Sequence, residues 1–243
     1  MKDVKTIESV KREAKAITRA TSVTHSQMLD VLSVQAGYTH WGAYQEALVQ
    51  REKDEADRIA RTVRPIDLVK ALIPDMAYTP MFLERARHIV VSGGTSTGKT
   101  TLVNKILTLV PKSVPIVVLD EHGELVNPNP IPDLTIDMNT VRRTGCEGYE
   151  ISRRAAIRND AGLLVYGEIS TRNAVDVLKA MRDPEGPGIL TCIHASNSDD
   201  ANRVFSERLG NGNAYLDLNG SVACIQMIRD PLGIRRISEV THL

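Results

Sequence analysis

An apolar run, Ile89-Val90-Val91, leads straight into Ser92-Gly93-Gly94-Thr95-Ser96-Thr97-Gly98-Lys99-Thr100-Thr101. A helical pattern opens at once behind it. The spacing is GxxxxGK(S/T), filled by Gly93, Gly98, Lys99 and Thr100. Glycines let backbone N–H groups converge on phosphate oxygens, and the helix N-terminus adds partial positive charge. Residues Gly93, Gly94, Thr95, Ser96, Thr97, Gly98, Lys99, Thr100 and Thr101 are therefore expected to hold ATP. Lys99 reaches for the β- and γ-phosphates, and Thr100 is the first expected ligand of Mg²⁺. A strand–loop–helix of this kind belongs in an α/β domain.

The surrounding pattern agrees. Short apolar runs at 89–91, 116–119, 163–166 and 189–193 alternate with helical stretches at 100–109, 172–181 and 198–209. Strands alternating with helices argue for a mainly parallel sheet covered on both faces. Near the end, residues 222–228 and 234–240 flank Pro231-Leu232-Gly233 and read as an antiparallel hairpin. Residues 127–132, with alternating prolines, read as a stiff loop.

The first part of the chain differs. Ile7, Val10, Ala14 and Ile17 share one helix face. Thr24 and Gln27 have capping-box spacing. Met28, Leu29, Leu32 and Ala36 follow on one side, with a stop at Gly37. Trp41, Tyr44 and Leu48 begin a third stripe, which residues 51–64 continue as a solvated helix or linker. Pro65 is the expected boundary. The division is thus 1–64, a helical module and linker, and 65–243, the phosphate-loop domain. The N-terminal piece also resembles a short helical module of plasmid- and phage-borne proteins, on His25-Ser26, Leu29-Asp30, Gly37-Tyr38 and Trp41.

At 243 residues the chain can bury a sizeable core. Lys+Arg and Asp+Glu both count 30, so no net charge pulls it toward nucleic acid or acidic lipid. Aromatics are 4% of residues, too few to advertise base stacking, and direct nucleic-acid binding is not evident. No run reaches the roughly 18 apolar residues of a membrane span, and no signal peptide is visible, so a cytoplasmic protein is expected. Cys146, Cys192 and Cys224 form no CxxC pair and are read as reduced thiols.

A phosphate loop needs carboxylates for its metal and its water. The 116–119 run delivers Asp120, Glu121 and Glu124; the 163–166 run delivers Glu168. Strand C-terminal ends are where α/β sheets carry their ligand sites. Glu168 is the stronger metal-side candidate, and at least one of Asp120, Glu121 and Glu124 is expected to be the general base for water. His194 ends a third run and can sense a γ-phosphate.

Together these segments resemble the traffic ATPases of type IV secretion and conjugation, relatives of type II secretion and type IV pilus motors. The likeness covers about residues 65–243 and rests on four motifs in the family's order. Residues 92–101 resemble its Walker A, Leu119-Asp120-Glu121-His122-Gly123-Glu124-Leu125 its Asp box, Val165-Tyr166-Gly167-Glu168-Ile169 its Walker B. Gly188-Ile189-Leu190-Thr191-Cys192-Ile193-His194-Ala195 resembles its His box, and residues 228–237 its terminal hairpin. The resemblance implies a RecA-like core and a homo-hexameric ring. It also implies ATP turnover that drives secretion or conjugation machinery at the inner face of the bacterial inner membrane.

Departures are specific. Asp120-Glu121 reverses the family's Glu-Asp order. Ser170 stands at an Arg position, for which Arg172 could compensate. Pro187 replaces a His. The family's folded N-terminal domain is expected to be replaced by the short helical piece. Arg158 and Arg203 match family arginines and are candidate nucleotide contacts; Arg142, Arg143, Arg153 and Arg154 are further sources of a γ-phosphate finger. The alternative function is a nucleotide-gated adaptor with little hydrolysis. A small-molecule kinase would rest on the loop alone and leave His194 unexplained.

Overall fold

The computed structural model describes residues 5–19, 22–61, 65–72, 86–208 and 221–242. The expected linker end at Arg64, helix end at Leu209 and chain end at Leu243 lie outside the described residues. The chain divides into two units, Met1–Ala60 and Arg61–Leu243.

The first unit is built from α1 (Ile7–Thr18), α2 (His25–Gln35) and most of α3 (Trp41–Arg61). Thr6 and Thr24 both form capping boxes, with Ser9 and Gln27. Each thereby satisfies backbone donors that a helix start leaves open. Val10, Ala14, Met28, Leu29, Leu32, Tyr44 and Leu48 form the unit's core. Ala36 falls outside this core: it is the exposed C-cap of α2, and Gly37 turns the chain at φ +89°. Asp30 accepts the Trp41 N–H at 2.8 Å and so ties α2 to the first residue of α3.

The second unit carries a six-stranded sheet, ordered β2-β3-β4-β1-β5-β6. The strands are β1 (His88–Gly93), β2 (Ile116–Leu119), β3 (Leu163–Tyr166), β4 (Gly188–Ile193), β5 (Val222–Arg229) and β6 (Arg235–His242). All neighbours are parallel except β5 and β6. The expected parallel sheet and antiparallel hairpin are both present.

Side chains alternate along these strands between two cores, as the pleat requires. Ile89, Val91, Leu163, Val165, Leu190 and Ile225 join Leu68 of α4 (Pro65–Leu72) and Leu102, Val103, Ile106 and Leu107 of α5 (Lys99–Leu109). Val90, Leu164, Tyr166, Ile189, Ile193 and Val222 face the other way. They meet Tyr149 and Ala156 of α7 (Cys146–Arg158), Val177 and Met181 of α8 (Ala174–Arg182), and Phe205 of α9 (Ser198–Arg208). Each large apolar side chain so buried contributes about 1.5–3 kcal/mol.

The sequence reading omitted α6 (Met138–Thr144) and α7, a helical pair between β2 and β3. Their signals were an Asp137 N-cap and the helical spacing of Tyr149, Ser152 and Ala156, all buried on one side apart from the cap. The helix expected from 172 begins at Ala174, because the Asn173 side chain turns back to bond the Glu168 carbonyl and the Ser170 N–H.

His88 fastens the bottom of the sheet. It is fully buried, contacts the Met181 carbonyl through Nε2 at 3.0 Å, and accepts the Ile189 N–H on Nδ1. Burial, with Arg87 nearby, lowers its pKa to about 3.

Candidate nucleotide site

The phosphate loop joins the central strand β1 to α5. Gly98 caps the helix in the left-handed region at φ +94° and offers no side-chain cap. The first amides of α5 are thus left without helix partners and are available to a phosphate. Lys99 is buried, and burial lowers its pKa. Its Nζ donates to the Gly93 and Gly94 carbonyls at 2.9 and 2.8 Å. It also reaches His194 Nδ1 at 3.2 Å.

That last contact settles the imidazole's orientation. An ammonium can only donate, so Nδ1 accepts and the ring proton sits on Nε2. Nε2 faces Glu168 Oε2 at 3.4 Å. Arg208, at the end of α9, approaches the other Glu168 oxygen at 3.5 Å. Its Nη1 is buried and makes no hydrogen bond among the described residues. Lys99, His194, Glu168 and Arg208 therefore run in one chain across the ends of β1, β4 and β3.

The Asp-box acids separate. Asp120 accepts three N–H groups of its own loop, from His122, Glu124 and Leu125, at 3.0, 2.7 and 2.9 Å. Its carboxylate organises the turn. Beside it, a Cβ on Gly167 would come within 2.4 Å of Asp120 Oδ1, so the residue before Glu168 has to be glycine for the two strand ends to meet. Glu124 swings toward the phosphate loop, where Thr100 Oγ1 donates to it at 3.1 Å. Asn104 on α5 straps this turn by donating to the Glu124 carbonyl and accepting the Val126 N–H.

Glu121 points elsewhere. Tyr149 Oη donates to it at 2.6 Å, and Arg172 lies 3.5 Å from its other oxygen. Burial and Glu121 together keep the Tyr149 phenol protonated far above its usual range. Arg172 thus serves Glu121 while Ser170 sits at the start of the α8 turn.

A cavity of about 440 Å³ collects the result. Its walls include Lys99, Thr100, Glu124, Glu168, His194 and Arg235. Asp120, His122 and Glu168 are shared with a smaller cavity of about 110 Å³, which Glu121 and Tyr149 line. Thr95, Ser96, Gly98 and Thr101 line the large cavity, whereas Gly93, Gly94 and Thr97 shape the loop from behind. The expected arginines lie apart from it. Arg158 is exposed at the end of α7, and Arg203 pairs with Asp200 and Glu207 on the outer face of α9. Arg153 is spent on buried Asp176, which also accepts the Tyr166 hydroxyl.

Sequence reasoning missed Asn104, Tyr149, Arg208 and Arg235. Only Tyr149 carried a signal, through its helical spacing. Cys192 and Cys224 are buried, with pKa values raised to about 12, while Cys146 is exposed. Among the described residues, no helix is long and apolar enough to cross a membrane.

The sequence model of the type II/IV secretion system protein family matches residues 67–227. Protein MJ1287 of Methanocaldococcus jannaschii is 28% identical over 188 residues, 74% of this chain and 68% of that protein. The conjugal transfer protein TrbB of Rhizobium radiobacter is 26% identical over 169 residues, 66% of this chain and 50% of TrbB. The crystal structure of the VirB11 ATPase from the Brucella suis type IV secretion system superposes with a TM-score of 0.51 at 20% identity. That superposition covers 75% of this chain and 59% of the VirB11 chain, so the chain spans about half the length of TrbB and little more of VirB11. The VirB11 likeness shows a shared fold, a RecA-like core with a mainly parallel sheet. With the family match running from α4 into β5, across the phosphate loop and all three strand ends that face it, the chain belongs to the type II/IV secretion system protein family.

Proposed function

We propose that this chain is a Mg²⁺-dependent ATP hydrolase that works as a traffic motor of conjugation or type IV secretion. The observation that carries the reading is the meeting of Lys99, Thr100, Glu124, Glu168 and His194 on one cavity. The site fits a nucleotide. The uncapped amides of α5 and the side-chain-free Gly98 leave a cradle, and three carboxylates nearby call for a divalent cation.

Thr100 and Glu168 would hold Mg²⁺, which when bound would offset the charge of the phosphate chain. Lys99 turns from its own loop carbonyls to the phosphates. Glu124 takes the proton of the attacking water, because it is the Asp-box acid that faces Thr100. His194, released by Lys99, is free to follow the terminal phosphate and to report its loss through Glu168 to Arg208 and α9. Six copies in a ring, peripheral to the inner membrane, would turn that report into motion of partner proteins. Arg158 and Arg203, remote from the chain's own cavity, are suited to a neighbour's.

The test is phosphate release by the purified chain, alone and with membrane vesicles, beside Lys99→Ala and Glu168→Gln. Turnover that both substitutions abolish is expected. Tight ATP binding without turnover would turn the reading into that of a nucleotide-gated adaptor. Native mass with a non-hydrolysable ATP analogue tests the ring.

A further inference from the structure

The cavity has a cation that comes from the closing hairpin, outside the four ordered motifs that supply Lys99, the acids and His194. β1 ends at Gly93, opposite Met227 of β5. The β5–β6 hairpin does not end there; it pairs on through Ile228 with Arg236 and Arg229 with Arg235. The hairpin thus overhangs the phosphate loop by two residues on each strand. Ile237, two residues from Arg235, packs into the core on the α5 side of the sheet. Arg235 shares that side of the strand, the side on which α5 begins.

Its position over the loop is tight. A Cβ on Gly98 would lie 2.9 Å from Arg235 Cδ and 3.7 Å from Cγ. The stem of Arg235 lies on Gly98, which has no side chain to exclude it. Among the described residues, Lys99 and Arg235 are the only Lys or Arg in the cavity wall. Lys99 is held by two carbonyls and His194. The Arg235 guanidinium has no hydrogen bond or ion pair among the described residues, although three carboxylates line the same cavity.

The strand order then says which end of a nucleotide it meets. β3 and β4, which end in Glu168 and His194, lie on one side of β1; β5 and β6 lie on the other. The acids and the histidine mark the end where the terminal phosphate and metal go. The phosphate chain must therefore leave the loop toward the hairpin, with its α-phosphate and nucleoside on that side.

We infer that Arg235 is a nucleotide-binding residue, acting in cis on the α-phosphate of a nucleoside di- or triphosphate. It rests on the ATP-binding reading above. Its contact is with a phosphate that ADP and ATP share, so it sets affinity for both and leaves hydrolysis itself untouched.

Isothermal titration with ADP and with a non-hydrolysable ATP analogue tests this, on wild type, Arg235→Ala, Arg235→Lys and Arg236→Ala. Arg236 neighbours it on the opposite side of the same exposed strand. Losing one charge-assisted phosphate contact should weaken both nucleotides about tenfold in Arg235→Ala. Arg235→Lys should recover part of the loss, and Arg236→Ala should bind as wild type does. Thermal melting without nucleotide should be the same in all four proteins. In turnover assays KM should rise in Arg235→Ala with kcat little changed. Equal affinity in wild type and Arg235→Ala overturns the assignment. So does a loss confined to the ATP analogue, which would put Arg235 at the terminal phosphate. A wild-type chain that binds neither nucleotide overturns the ATP-binding reading itself.

Discussion

Two cavities meet at the end of β2 and share Asp120, His122 and Glu168, yet they are opposite in character. In the small one, Glu121 is already answered by a tyrosine hydroxyl at 2.6 Å and an arginine at 3.5 Å. In the large one, the Glu124 carboxylate has only the Thr100 hydroxyl among the described residues, and the α5 amides beside it have no side-chain cap. The two glutamates stand three residues apart in one string. Asp120 divides them, because its carboxylate holds the turn that sends one each way. An acid whose partners are already in place fixes structure; an acid facing unsatisfied donors is available for chemistry.

That contrast can be broken in several ways. The largest effect should come from Lys99→Ala, which removes the cation proposed to meet the phosphates. Phosphate release should fall to background, a loss of at least about a hundredfold, with ADP affinity falling alongside. Next is the pair that splits the cavities. Glu124→Gln should lower kcat by about a hundredfold or more, as the loss of a general base does. Glu121→Gln should cost less than about tenfold, since Gln still accepts the Tyr149 hydroxyl. Equal losses in the two variants would erase the distinction between the cavities.

Gly167→Ala probes the shared wall. Its Cβ would press on the Asp120 carboxylate, so one strand end must shift. A stability loss of about 1–3 kcal/mol in urea unfolding is expected, as for other overpacked sites. A fully stable variant would show that the wall has slack.

The smallest effect concerns His88, at the far end of the sheet. Its folded pKa of about 3 lies below the ordinary 6.5, so below pH 6.5 the unfolded chain binds a proton that the native one refuses. The stabilising contribution is full above pH 6.5 and is lost as the pH falls toward 3, with a slope of at most one proton. Urea midpoints from pH 7.5 to 4 should fall less steeply in His88→Gln than in wild type. Because His88 is remote from the cavity, nucleotide affinity at pH 7.5 should not follow it.

Much of this was legible in the chain itself. The runs at 116–119 and 163–166 are β2 and β3 to the residue, and β1 and β4 differ only at their ends. Thr24 and Gln27 cap α2 as their spacing said. These features depend on neighbours within a few positions, which a sequence displays directly. The helical pair α6–α7 escaped because its apolar face is short: α6 buries Val141 alone, and the buried side of α7 is Gly148, Tyr149, Ser152 and Ala156. Arg153 shows the consequence: an arginine of plausible position is tied to buried Asp176.

The sequence alone determined that a strand, a glycine loop and a helix follow one another as the proposed phosphate cradle, because that geometry closes within some fifteen consecutive residues. It also determined which strand ends carry acids and a histidine. Only the tertiary structure decided that Glu124 faces the cradle and Glu121 does not, that Lys99 rests on His194, and that Arg235 lies across Gly98. Those contacts join residues far apart in the chain, and the order of strands in the sheet, which no local pattern encodes, brings them within reach.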